Sequence, residues 1–170
     1  MGRTHATRSM GAFDALLFRG DADPRTRSVL AAAYVLERTP SREALVAAFD
    51  QASRAIVRLR QHVVAPPWPV LLPAWIVDPD FDLARHLRFE RLPARASLPR
   101  LLAAIERQMA EPLDASRPLW DAVLYEGLPR GRAGLLFRMS HAVADGIGAV
   151  RLFGALFDTE AAPARRAPVA

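Results

Sequence analysis

Two apolar segments, Leu119–Tyr125 and Ala133–Ser140, flank the turn sequence Gly127-Leu-Pro-Arg-Gly-Arg132. Val, Leu, Tyr and Phe favour a pleated, packed surface, and the Gly and Pro residues punctuate the join, so the pair reads as an antiparallel hairpin. A hairpin alone is marginal in water and needs further elements packed around it. Ser28–Glu37 is an apolar run with Tyr and Val and predicts a buried strand. Shorter strands are predicted over Val57–Val64, Ala74–Val77 and Leu87–Leu92, with Asp78-Pro79-Asp80 as a turn. A short helix is expected from Ala12 to Phe18. Thr39-Pro40-Ser41 marks the start of a second, with Pro40 in its first turn and Leu45, Phe49, Ala52 and Ile56 on one face. Ser97 opens a third, with Leu98, Leu102, Ile105 and Met109 at the same spacing, and Pro112 closes it. A fourth is expected from Gly146 to Phe157, with Ile147, Val150, Phe153 and Phe157 inward. The fold class is therefore α/β, a two-layer sandwich of a mixed, mostly antiparallel sheet with helices. Residues 1–9 are expected to be disordered, 10–158 to form one domain, and the Ala-, Pro- and Arg-rich 159–170 to be a linker or tail.

Composition narrows the chemistry. Among the 170 residues there is no cysteine, which excludes disulfides, thiolate metal sites and a cysteine nucleophile. All 23 basic residues are arginine, against 18 acidic ones, for a net charge of +5. With no lysine there is no phosphate-binding loop of the Gly-x-x-x-x-Gly-Lys type, and no histidine pair has metal-ligand spacing, so no metal site is expected. A basic chain invites nucleic acid as a partner, but the arginines are scattered and no aromatic residues interleave with them, so no nucleic-acid partner is expected. Attraction to anionic lipid or to CoA phosphates, and simple solvation, stay open. The longest apolar stretch, Val63–Val77, is broken by Pro66, Pro67, Pro69 and Pro73 and is too short to span a bilayer. It reads as a loop leading into a strand, with Trp68 and Trp75 in the core or at a membrane surface. The opening MGRTHATRSM has no secretory pattern, so a soluble, cytoplasmic location is expected.

Of the four histidines, His5 lies in the polar start, and His62 and His86 fit surface or core side chains. His141 ends the strand Gly-Leu-Leu-Phe-Arg-Met-Ser140 and opens the turn that leads through Asp145 and Gly146 into a helix. A strand-to-helix turn sets a side chain at a sheet edge, where clefts form. Asp145 falls at the helix N-cap, and Gly146 permits close backbone approach. Imidazole ionises near neutrality, which suits a general base once its tautomer is held.

Ser140–Gly146 resembles the His-His-x-x-x-Asp-Gly motif of the bacterial wax ester synthase/diacylglycerol acyltransferase family, within the wider group of CoA-dependent acyltransferases and peptide-synthetase condensation domains. The segments Phe13–Phe18, Asp78–Asp82 with His86-Leu-Arg88, Pro112-Leu113-Asp114, and Arg117-Pro118-Leu119-Trp120 fit the same family in the same order. The resemblance covers roughly Met10 to Phe157. It implies a chloramphenicol-acetyltransferase-like half and, by correspondence, His141 as general base. Acyl-CoA would be the substrate and a long-chain alcohol or diacylglycerol the acceptor, with no cofactor and no covalent enzyme intermediate. It also implies that Asp145 orients the motif by an ion pair with an arginine, for which Arg60 is the candidate, and that Pro118, Leu119 and Trp120 shape the base of the hairpin. Two departures stand out. Ser140 occupies the position of the first motif histidine, and the chain holds only an N-terminal half, which implies a C-terminal half or a partner chain. The alternatives are a non-catalytic remnant that binds acyl-CoA, lipid or a partner, and a condensation-type enzyme using carrier-bound acyl groups. Peripheral contact with a membrane or lipid-body surface is expected alongside.

Overall fold

The expected hairpin lies at the centre of the protein. The computed structural model describes residues 8–68 and 70–143; Asp145, Gly146, the expected fourth helix and the tail lie outside these. Strands β6 (Trp120–Glu126) and β7 (Ala133–Ser140) pair antiparallel, from Trp120 opposite Met139 to Glu126 opposite Ala133. On one face Trp120, Ala122, Leu124, Leu135, Phe137 and Met139 join Leu45, Phe49 and Ala52 of helix α2 (Arg42–Ala55) in the larger core. On the other, Val123, Tyr125 and Leu136 pack on Leu101 and Ala104 of helix α3 (Leu98–Ala110). Cover on both faces is why both segments read as near-continuous apolar runs rather than as an alternation.

Two more strands complete a mixed sheet in the order β2-β7-β6-β5. Strand β2 (Val29–Leu36) runs antiparallel to β7, and β5 (Leu87–Arg91) runs parallel to β6. The parallel pair needs a crossover, and α3 supplies it. A second, three-stranded sheet stands apart from the single sheet expected. It is built from β1 (Arg8–Ser9), β4 (Ala74–Val77) and β3 (Gln61–Val64), in the order β1-β4-β3. Arg8 and Ser9, expected in a disordered start, therefore pair with Trp75 and Ala74. Helix α1 (Ala12–Gly20) follows β1 and buries Ala15. Trp75 is core, while Trp68 in the proline-rich loop is 69% exposed.

Three local expectations are corrected. Val57–Arg60 is a 3-10 turn, and the strand begins only at Gln61. The turn buries Leu59 and presents its carbonyl to the Trp120 indole N–H at 2.8 Å, which a strand through 57–60 would forgo. Pro40 precedes the second helix rather than entering it, because Ser41 is the N-cap and its Oγ accepts the Ala44 N–H at 3.1 Å. In α3 the buried face carries Leu101, Ala104 and Gln108, while Leu98 and Leu102 are each 54% exposed. Gly134 decides this stripe: a Cβ there would lie 2.5 Å from Leu101 Cδ1, so the bare backbone of β7 makes the seat for Leu101.

A buried cation fastens the same layer. Arg138, 1% exposed, forks onto Asp121 through Nε (2.8 Å) and Nη2 (2.5 Å). Its Nη1 donates to the carbonyls of Gln108 and Glu111, at the end of α3. Gln108 Nε2 donates in turn to Asp121 at 3.2 Å. Helix ends leave carbonyls unpaired and carry partial negative charge, so a guanidinium is well placed there. Removing one partner from a buried, bonded ion pair costs about 3–5 kcal/mol. Arg138→Ala is therefore expected to lower the urea midpoint by that equivalent without changing the denaturant slope, read by far-UV circular dichroism.

Candidate active site at the end of the central hairpin

The turn after β7 is held from several sides. Ser140, fully buried, is the last residue of the strand, opposite Val29, and its N–H donates to the Leu119 carbonyl at 2.9 Å. Its hydroxyl donates to Asp21 Oδ2 at 2.5 Å, and the same oxygen accepts the Ala142 N–H at 3.1 Å. The His141 N–H donates to the Ser28 carbonyl at 2.9 Å, and the Val143 N–H closes a tight turn onto the Ser140 carbonyl at 3.0 Å. His141 itself is partly exposed. Its backbone is thus pinned at the end of the strand. Asp145 and Gly146, expected to complete the motif, lie outside the described residues.

The other motif residues build the wall behind this turn. Trp120 is buried in a stack, with ring centroids 4.6 Å from His86, 5.6 Å from Phe137 and 5.9 Å from Phe49. Its N–H donates to the Pro118 carbonyl at 2.8 Å, which closes the Pro118-Leu119-Trp120 bend, and Leu119 receives Ser140 on the other side. Arg60 reaches Asp50 Oδ1 at 2.8 Å and Ser53 Oγ at 3.0 Å, and lies 4.7 Å over the Phe81 ring. His86 is a core residue. Its Nδ1 lies 2.8 Å from the Trp120 carbonyl, so that nitrogen carries the proton. Burial holds the imidazole below its ordinary pKa, against the opposing pull of that hydrogen bond.

A profile of the wax ester synthase/diacylglycerol acyltransferase catalytic domain matches residues 6–170. The chain belongs to this family. Over 157 residues it is 45% identical to a putative diacylglycerol O-acyltransferase of Mycobacterium tuberculosis, covering 92% of this chain and 32% of the relative. A probable diacylglycerol O-acyltransferase of the same organism is 34% identical over 139 residues, covering 81% of this chain and 30% of the relative. The chain therefore spans about a third of the length of these curated relatives. Among solved structures, the wax ester synthase/diacylglycerol acyltransferase of Marinobacter aquaeolei VT8 superposes with a TM-score of 0.67 at 23% identity, covering 85% of this chain and 37% of that one. The starter condensation domain of rhizomide synthetase RzmA superposes at 0.72 with 18% identity, covering 89% and 38%. A variant of that domain was solved in complex with C8-CoA. The expected chloramphenicol-acetyltransferase-like α/β fold is the one these structures share with the chain.

Within this member of the wax ester synthase/diacylglycerol acyltransferase family, two cavities flank the Pro118–Trp120 bend. One, of about 460 Å³, is lined by Phe18, Val29, Leu113 and Leu119 together with Asp21 and Arg27. Of these, Asp21, Val29 and Leu119 are the residues bonded to or paired with Ser140. The other, of about 550 Å³, is lined by Arg85 and by three arginines with their partners, Arg88 and Arg138 with Asp121 and Arg117 with Asp114. Asp21 escaped the sequence reading. It caps the C-terminal end of α1, where the helix dipole disfavours a carboxylate, so an acidic residue there signals a partner elsewhere.

The depressed His86 ionisation has a definite sign. Below about pH 6.5 the unfolded chain takes up a proton at this position that the folded chain resists, so stability present above that pH is lost as pH falls toward the folded value. The slope from one group is at most about 1.4 kcal/mol per pH unit. Urea midpoints measured from pH 7.5 to 5.5 are expected to fall more steeply for the native chain than for His86→Phe.

Proposed function

We propose that the chain is the N-terminal portion of an O-acyltransferase that moves a fatty acyl group from acyl-CoA to a long-chain alcohol or diacylglycerol. In this reading the His141 imidazole takes the proton of the acceptor hydroxyl as its oxygen bonds to the thioester carbonyl carbon. The tetrahedral adduct then expels the CoA thiolate, which takes the proton back from the imidazolium, leaving an ester and free CoA. Acyl-CoA is a substrate here, and no cofactor enters. The observation that carries the reading is His141 at the end of a buried strand in a chain matched by this family's catalytic-domain profile, with Asp21, Val29 and Leu119, the partners of the preceding Ser140, lining a largely apolar cavity. The C8-CoA complex of a structural neighbour supports an acyl-CoA thioester as donor.

The chain is about a third as long as its relatives, so we propose that a C-terminal part or partner chain completes the CoA and acceptor sites. An acceptor that is itself a lipid fits peripheral contact with a membrane or lipid-body surface. The exposed loop residues Trp68, Val70, Leu71 and Leu72 supply apolar area for such contact. No helix among the described residues is long and apolar enough to cross a membrane.

The test is CoA release from palmitoyl-CoA with hexadecanol or diacylglycerol, for the chain alone and with a C-terminal portion of the family supplied in trans. His141→Ala is expected to lower kcat by about 10²- to 10⁴-fold, the usual share of a general base. Turnover unchanged by that substitution refutes the assignment. Acyl-CoA binding without turnover, insensitive to His141, points instead to a non-catalytic binding remnant, and preference for a carrier-bound acyl group points to condensation-type chemistry.

A further inference from the structure

The hydrogen bonds around His141 form a closed circuit whose members are far apart in sequence. Asp21 Oδ1 accepts the Ser28 N–H at 2.8 Å, and Asp21 Oδ2 accepts the Ser140 hydroxyl at 2.5 Å. The Ser28 carbonyl accepts the His141 N–H at 2.9 Å, and Ser140 Oγ accepts the Ala142 N–H at 3.1 Å. One carboxylate therefore governs, through one residue on each side, the amide of His141 and the amide that follows it. Asp21 is itself anchored by its N–H to the Leu17 carbonyl at 3.0 Å, at the end of α1. Both arms donate toward the Asp21 carboxylate, one from His141 through Ser28 and the other from Ala142 through the Ser140 hydroxyl, and Ser140 is fully buried, so water does not compete for that hydroxyl.

We infer that Asp21 and Ser140 act as one positioning unit for His141, with Asp21 the positioning residue and Ser140 the link that carries its hold into the turn. The inference rests on the general-base reading given above. The hydroxyl can meet the carboxylate and the Ala142 amide together because it both donates and accepts. Apolar residues at 140 or 21 would leave the turn attached to the sheet only through its backbone bonds. A base displaced by about 1 Å loses on the order of 10²-fold in rate, so such a clamp acts on kcat more than on binding.

The experiment uses Asp21→Ala, Ser140→Ala and the double variant, with His141→Ala as reference. Amide hydrogen exchange at His141 and Ala142 is expected to accelerate at least about tenfold in each single variant, while Leu124 and Phe137 in the central hairpin exchange as in the native chain. The His141 ring signal, identified by its loss in His141→Ala, is expected to move in the same variants. In the CoA-release assay each single change is expected to lower kcat about 10- to 100-fold with KM within about twofold. The double variant is expected to lose less than the sum of the two single losses, because the Asp21–Ser140 bond is already gone in either single variant. Native exchange at His141 and Ala142, or equal acceleration in the central hairpin, overturns the proposal, as do additive losses in kcat. The exchange data decide it on the folded chain whether or not that chain turns over. Should His141→Ala keep full turnover, the general-base reading fails. Should it abolish turnover while Asp21→Ala and Ser140→Ala leave kcat unmoved, only the positioning role fails.

Discussion

The guanidinium of Arg138 is the point on which the arrangement of the protein turns. A cation taken out of water is tolerable only where its nitrogens find acceptors, and here Nε and Nη2 go to Asp121 on the neighbouring strand and Nη1 to the last carbonyls of α3. This sets the register of β7, since a slip by one residue would move Arg138 to the aromatic face beside Phe49 and Trp120. It also fixes where α3 ends, and so where the chain re-enters the sheet through Pro118 and Trp120. Ser140 lies two residues beyond Arg138 and faces the same way, so the orientation of the turn that carries His141 is inherited from this buried pair.

A second column runs through the opposite face. Phe49, Phe137, Trp120, His86 and Phe81 stack in near-parallel planes, joining α2 to both central strands and to the turn before β5. The polar tips of this column are satisfied by carbonyls, the indole by Leu59 and the imidazole by the main chain of Trp120. That is the condition under which Trp and His add to a core rather than weaken it. His86 is then structural.

How much of this was legible depended on range. The hairpin, α2 and the extent of β2 follow from local apolar runs and from a serine cap and were readable, but β2, expected to be buried, is an edge strand whose residues are all exposed or half-buried. The inward face of α3 was readable only in part: Ile105 and Met109 of the expected stripe do pack on the smaller core, but Leu98 and Leu102 face out while Leu101, Ala104 and Gln108 face in. The choice lies in a missing Cβ on Gly134 and in the bonding of Gln108 to Asp121. The turn at 57–60 was missed for a similar reason: Val, Leu and alternating arginines look extended until the Trp120 indole claims the Leu59 carbonyl. His141 stands out as a candidate by its local setting between a strand and a helix signal. Asp21, separated from Ser140 by 119 positions, shows only in the folded chain.

The fit of Leu101 over Gly134 carries one more consequence, for how this sequence can drift. Any side chain at 134 needs the volume that the Leu101 methyls now fill, and any smaller residue at 101 leaves a void beside bare backbone. The two sites, one on a crossover helix and one at the start of a central strand, are bound to change together or not at all. Among descendants of this chain, the pairing of a bulky residue at one with glycine at the other should persist long after the exposed face of the same helix has been rewritten.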